Sequence, residues 1–262
     1  MKFSIQIIDS DGRVKAEAVG EEIVHLVYLD AYTEGDSISA SCGENAFVIM
    51  QMEDSIQPVY GFLKGVFRLK VPFGEKRESY SPKSFIGNQH LLWIREASES
   101  ERAQYRNMAL NPLDNHENSA FFPHVVANVE TRGESVFAAR NAIDGNTANK
   151  SHGPWPYESW GINCQDDAEI TIHFGRVVEI DRLLITLRSD FPHDNWWKEA
   201  TITFSDGSIF KPHFSKTALP QEFKLDSVQK IEWLKMSNMK KDEAVSSPYP
   251  ALTQIEVFGR EA

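Results

Sequence analysis

Two stretches of this chain gather the residue types that grip a polar, hydroxylated ligand. The first, NAIDGNTANKSHGPWPYESWGIN from Asn141 to Asn163, carries His152, Trp155, Tyr157 and Glu158. The second, LRSDFPHDNWWKEATITFSDGS from Leu187 to Ser208, carries Arg188, Asp190, His193, Asp194, Trp196 and Trp197. A ligand with a face of C–H bonds and an edge of hydroxyls needs a flat ring beside fixed donors and acceptors. A guanidinium chelates adjacent hydroxyls, a carboxylate accepts from them, and an imidazole does either near neutral pH. Taken singly, each of these polar residues is more often a hydrogen-bonding partner inside its own loop.

The tryptophans sharpen the reading. Trp155, Trp160, Trp196, Trp197 and Trp233 all lie in the C-terminal half, and only Trp93 precedes them. Trp233 falls inside a strand pattern and reads as core. Extending the Ala200, Ile202, Phe204 alternation backwards turns Trp196 inward but also buries Lys198, which is costly for an unpaired ammonium. A bulge or a late strand start is therefore expected, leaving Trp196 or Trp197 near the loop surface.

Signatures of catalysis are absent: there is no GxSxG elbow, P-loop, GxGxxG or HExxH. The many carboxylates read as a solvated acidic surface, because nothing in the order of residues sets two of them at the roughly 5–9.5 Å that glycoside hydrolysis requires. His152 with Asp166 or Asp167, and His193 with Asp194, are acid–base pairs without a nucleophile motif. Cys42 and Cys164 sit in different halves without metal-ligand spacing, as reduced thiols do.

The formal net charge of −11 argues against nucleic acid and against anionic membranes, and leaves neutral or cationic carbohydrate as the easier partner. No apolar run approaches the roughly 20 residues that span a bilayer. MKFSIQIIDSDGRVK alternates as a strand does instead of forming a signal peptide, so the expected location is cytoplasmic, or extracellular if a leader has been removed.

The elements that must position these loops are strands. Phe3, Ile5 and Ile7 alternate with polar residues up to an Asp9–Gly12 turn, and Val14, Ala16 and Ala18 resume the pattern. Residues 23–29, 47–51 and 65–71 follow, with Gly43, Pro58, Pro72 and Pro82 between. One helix is expected over 98–110, capped by Ser98 with Glu101 as its capping-box partner and ended by Asn111-Pro112. A polar, proline-marked segment then suggests a boundary near 118, giving a mainly β N-terminal domain (1–118) and a second β domain (119–262). Past it, Ile170–Phe174, Leu183–Leu187, Ala200–Phe204, Ile231–Met236 and Thr253–Phe258 read as strands of a β-sandwich or jelly roll, with Ser205-Asp206-Gly207-Ser208 as a hairpin turn.

The order AARNAIDGNT (Ala138 to Thr147), Trp155 or Trp160, IHFGRVVEIDRLLITLR (Ile172 to Arg188), ATITFSDGS (Ala200 to Ser208) and ALTQIEVFG (Ala251 to Gly259) resembles a coagulation-factor type C, or discoidin-like, domain. That group includes the family 32 carbohydrate-binding modules, and the resemblance covers about residues 122–260. It implies a galactose-binding-like jelly roll that binds glycans with the loops at one end. The turn Ile143-Asp144-Gly145-Asn146-Thr147 curls oxygens around one point, which suits a hard cation or a plain hydrogen-bonded turn. The resemblance implies a structural calcium there, with Asp144 and Thr147 at matching positions and Gln254 where the family pattern has Glu. The expectation is thus a mainly β, two-sandwich protein that binds carbohydrate through its C-terminal jelly roll, requiring no cofactor beyond that possible calcium. Two alternatives stay open: a glycan-active enzyme with a site between the domains, and a protein–protein interaction module.

Overall fold

The computed structural model describes residues 1–262 and is mainly β, with no helix long and apolar enough to cross a membrane. The N-terminal half holds β1 (Phe3–Ile8), β2 (Val14–Gly20), β3 (Ile23–Tyr28), β4 (Ser37–Cys42), β5 (Ala46–Gln51), β6 (Val59–Leu63), β7 (Val66–Lys70) and β8 (His90–Glu96). They form two antiparallel sheets, β2-β1-β4-β7 and β6-β5-β8-β3. Alternate residues such as Phe3, Ile5 and Ile7 and Val48 and Met50 meet between the sheets. The β1–β2 turn closes as expected: the Asp9 carboxylate accepts from the Asp11 and Arg13 N–H groups at 2.9 and 2.8 Å, and Gly12 takes φ +82°.

The helix expected over 98–110 is one turn, α1 (Glu99–Arg102). Its capping box forms, but the Arg95 guanidinium binds Glu101 at 2.6 Å and fastens the turn to β8. Beyond Arg102, tertiary burial overrides helix propensity. The chain extends as β9 (Arg106–Asn107) along the last strand, and Met108 and Ala109 enter the C-terminal core.

The passage near residue 118 is a buried seam and not an exposed linker. Leu113, Ala120 and Phe121 belong to the N-terminal cluster, and Val125 belongs to the C-terminal one. Asn118 is itself buried, donating to Asp114 at 2.8 Å and to the Phe121 carbonyl at 2.6 Å. Here β10 (Phe121–Phe122) completes the β6 sheet, and β11 (His124–Ala127) joins the second half.

That second half contains β12 (Trp160–Gly161), β13 (Ile170–Leu187), β14 (Trp197–Phe204), β15 (Ile209–Phe210), β16 (Gln221–Lys241) and β17 (Ala251–Glu261). β13 and β16 run 18 and 21 residues, well beyond an ordinary strand, because each bends across both layers of a sandwich. Residues 170–173 of β13 pair with β11 and β16; after a register break at Gly175, φ +70°, residues 178–187 pair with β17 and the first part of β16. β14 and β15 continue the first layer and β12 lies on β17, so the loops before β12 and before β14 emerge at one end. The two buried clusters, 25 and 29 residues, are of similar size, so neither half is an appendage of the other.

Candidate functional site

Arg188 follows β13 in a loop that turns back on itself around one carboxylate. Asp194, fully buried, receives Arg188 Nε at 3.0 Å, Arg188 Nη2 at 2.6 Å and the Asp190 N–H at 2.8 Å. Arg188 also donates to the Ser159 hydroxyl at 3.3 Å, so its fork is largely satisfied within the protein. Removing one partner of such a buried pair costs about 3–5 kcal/mol by leaving the other charge uncompensated. The next residue, Asn195, donates to the Asp242, Val245 and Ser247 carbonyls and accepts from the Trp196 and Asp242 N–H groups. It thereby brings the 242–250 segment against the same rim. The Ser247 hydroxyl adds a bond to the His193 carbonyl.

The expected bulge is present, with register shifts between Trp197 and Glu199 and again between Glu199 and Thr201. Its consequence is the reverse of an open Trp197. The bulge lets Lys198 point outward while Trp197 enters the core, 1% exposed, against Trp160. Trp196 is half-buried against the same cluster, and its indole N–H is buried without a partner.

The exposed rings are others. His152 Nδ1 lies 2.5 Å from Asp190 Oδ2, joining the two loops named from the sequence. The His152 and His193 rings stack at 4.1 Å and 7°, and Tyr249 continues the column at 5.3 Å and 10° from His193. The carboxylates of Asp190 and Asp194 hold the two Nδ1 atoms, which fixes the ring orientations and leaves each Nε2 free to donate or accept. His152, His193 and Tyr249 border an open cavity of about 230 Å³, with Arg188 and Phe137 in its lining. Tyr249 was not visible from motif: it is one aromatic residue in a Ser/Pro stretch, recruited by Asn195 from fifty-odd positions away. Although His152, Asp190 and His193 place ligand atoms within 4.8 Å of one another, an imidazole binds a metal in its own plane, and two parallel planes share no point.

Trp155 and Tyr157 are exposed, and the Trp155 N–H donates to the Glu78 carbonyl of the N-terminal half at 2.8 Å. Neither lines the cavity that holds the ring column. Glu158 points inward, 3% exposed, taking Asn146 Nδ2 on one oxygen at 2.9 Å and leaving the other without a partner. Asp144 turns its carboxyl toward it, and burial together with the Glu158 charge raises that group well above the ordinary carboxylate range, against the pull of Arg140. The residues expected to hold calcium do not suit a hard cation as arranged. Gln254 Nε2 donates to the Asn141 carbonyl at 2.5 Å and to Asp144 Oδ1 at 2.6 Å, so N–H groups occupy the converging lone pairs, while Thr147 sits at the surface.

Two adjoining cavities of about 750 and 370 Å³ run along the seam between the halves, sharing Asn115, His116, Gly133 and Arg140. Of the carboxylates that line them, Glu75, Asp114 and Glu130 are engaged, while Glu34 and Glu117 carry no partner. Asp114 accepts from Asn118 and the Val125 N–H and faces His124 at 2.8 Å, while Glu130 takes the Ala139 N–H and binds His116, whose ring it pushes above the usual imidazole range.

No family model and no curated protein matches the sequence. Solved structures similar to the chain include chitosan-binding module 1 of a chitosanase/glucanase from Paenibacillus sp. IK-5, at 17% identity over 58% of this chain and 98% of that one, TM-score 0.40. Another is the family 32 CBM from C. perfringens NanJ in complex with galactose, at 17% identity, covering 51% and 91%, TM-score 0.40. A Streptococcus pneumoniae fucose binding module matches at 18% identity, covering 59% and 98%, TM-score 0.40.

Proposed function

We propose that this chain binds carbohydrate without transforming it, at the rim where residues 149–164, 188–197 and 242–251 meet. The observation that carries the reading is the His152, His193, Tyr249 ring column bordering an open cavity of about 230 Å³. A sugar lays its C–H face on the outer face of Tyr249, where the column ends, while its hydroxyls reach the free imidazole nitrogens and Asp190. The acidic balance of the chain favours a neutral or cationic sugar over a sulfated or uronic one. Asp114 and Glu130 on the seam are both engaged by N–H donors and histidines, which supports binding over hydrolysis there.

A glycan array followed by calorimetric titration of the best-bound sugar tests this. Tyr249→Ala is expected to weaken binding at least about tenfold, the loss of roughly 1.4 kcal/mol of stacking, with an unchanged melting temperature. Trp197→Ala is expected to lower the melting temperature instead. Binding that survives Tyr249→Ala and His193→Ala together, or release of shortened product from a bound oligosaccharide, would end the proposal.

A further inference from the structure

We infer that the Gln254 amide does in this chain the work a bound cation would do at the same place: it locks the Asp144–Thr147 turn and thereby positions the loop that carries His152, Trp155 and Tyr157. Gln254 is fully buried on β17, and both ends of its amide are used. Its Nε2 bridges the Asn141 carbonyl and Asp144 Oδ1 at 2.5 and 2.6 Å, and its Oε1 accepts the Gly145 N–H at 3.1 Å. Only this orientation satisfies the site. Turned over, the amide would set its oxygen against two oxygens and its N–H groups against another N–H.

The turn passes the constraint on through Asn146. The Asn146 N–H donates to Asp144 Oδ1 at 2.9 Å, and its side-chain amide donates to the Pro156 carbonyl at 2.7 Å and to Glu158 at 2.9 Å. A continuous path of hydrogen bonds therefore runs from the last strand, through the turn, to the exposed loop. A calcium ion would instead require six to eight oxygens around one point, each with a lone pair turned to the ion, where here the Gln254 N–H groups point. Gln254 is a positioning residue, and the inference stands whatever the rim binds.

Thermal unfolding of the full chain in calcium chloride and in chelator tests it, together with hydrogen exchange over residues 144–158. The wild-type melting temperature is expected to be the same in both. Gln254→Met, which keeps the volume but removes the donors, is expected to melt lower and to exchange faster across 144–158. Gln254→Glu sets a carboxylate toward Asp144, so it is expected to melt several degrees lower in chelator and to recover in calcium. A wild-type chain that gains stability from calcium overturns the inference, as does a Gln254→Met chain with wild-type melting and protection, or a Gln254→Glu chain indifferent to calcium.

Discussion

Glu53 shows how one side chain can set the pH at which this fold is most secure. It is 1% exposed in the turn after β5; one of its oxygens accepts from Ser55, and the other has no partner. Burial, helped by Asp54 beside it, pushes the carboxyl up to about 7. The folded group thus holds its proton more tightly than an unfolded Glu near 4.3, so its contribution is fully present below that value and is lost as pH rises through 7. The loss amounts to roughly 4 kcal/mol at most. Urea unfolding across pH 5 to 8 is expected to show declining stability for the wild type and a flatter profile for Glu53→Gln. Parallel slopes would assign the decline to other groups. Trp197 and Tyr249 make a complementary point at the same scale: the larger ring went to the core, where an apolar body gains most, and the smaller ring with a hydroxyl stayed at the rim.

Strands place these residues, and one close approach fixes how two of the strands pair. A Cβ on Gly259 in β17 would stand 1.9 Å from the Glu179 carbonyl of β13, so the pairing of the two strands at their bulge depends on a bare backbone. Gly259→Ala is expected to cost about 3 kcal/mol or more in chemical denaturation, while Gly43→Ala, whose nearest outside atom lies 4.0 Å away, should be close to neutral. Equal effects would mean the bulge relaxes freely. Most of this layer was legible: β1, β14 and the ends of β13 follow period-two alternation, and both Asp-Gly turns close where expected. The single long strand was not, because the break at Gly175 resets parity and splits one strand into two signals. β4, β6 and β8 were not read as strands; in β4, Ser37, Ser39 and Ser41 around Ile38 and Ala40 give little apolar contrast. The rim loops were legible from composition, but which ring faces water is decided by the β14 bulge and by the reach of Asn195, both long-range effects.

At the scale of the whole molecule, the question is whether the halves are separable at 118. Residues before that point complete the C-terminal core: Asn107 accepts the Val257 N–H, the Asn111 N–H donates to the Ile143 carbonyl, and the buried Arg140 guanidinium donates to the Pro112 and Asp114 carbonyls. The Asp114 carboxylate also caps the Val125 N–H that opens β11. A chain cut to 119–262 forfeits all of these, and each buried donor left unpaired costs about 1–3 kcal/mol. A chain cut to 104–262 keeps them and gives up the contacts across the seam: the pairing of β10 with β6, the burial of Leu113, Ala120 and Phe121 in the N-terminal core, the bonds of Trp155 and Ser135 to Glu78 and Glu75, the bond from the Tyr60 hydroxyl to Glu261 at 2.9 Å and the packing of the Arg176 guanidinium over Phe47 and Phe62. Arg176 retains its own pair with Glu261 in that piece. The longer piece is therefore expected to melt cooperatively and the shorter one to be partly unfolded at the same temperature, as read by near-ultraviolet circular dichroism of the buried Trp160 and Trp197. Identical melting of the two pieces would mean that residues 104–118 decorate the sandwich, whereas the bonding pattern makes them part of its wall.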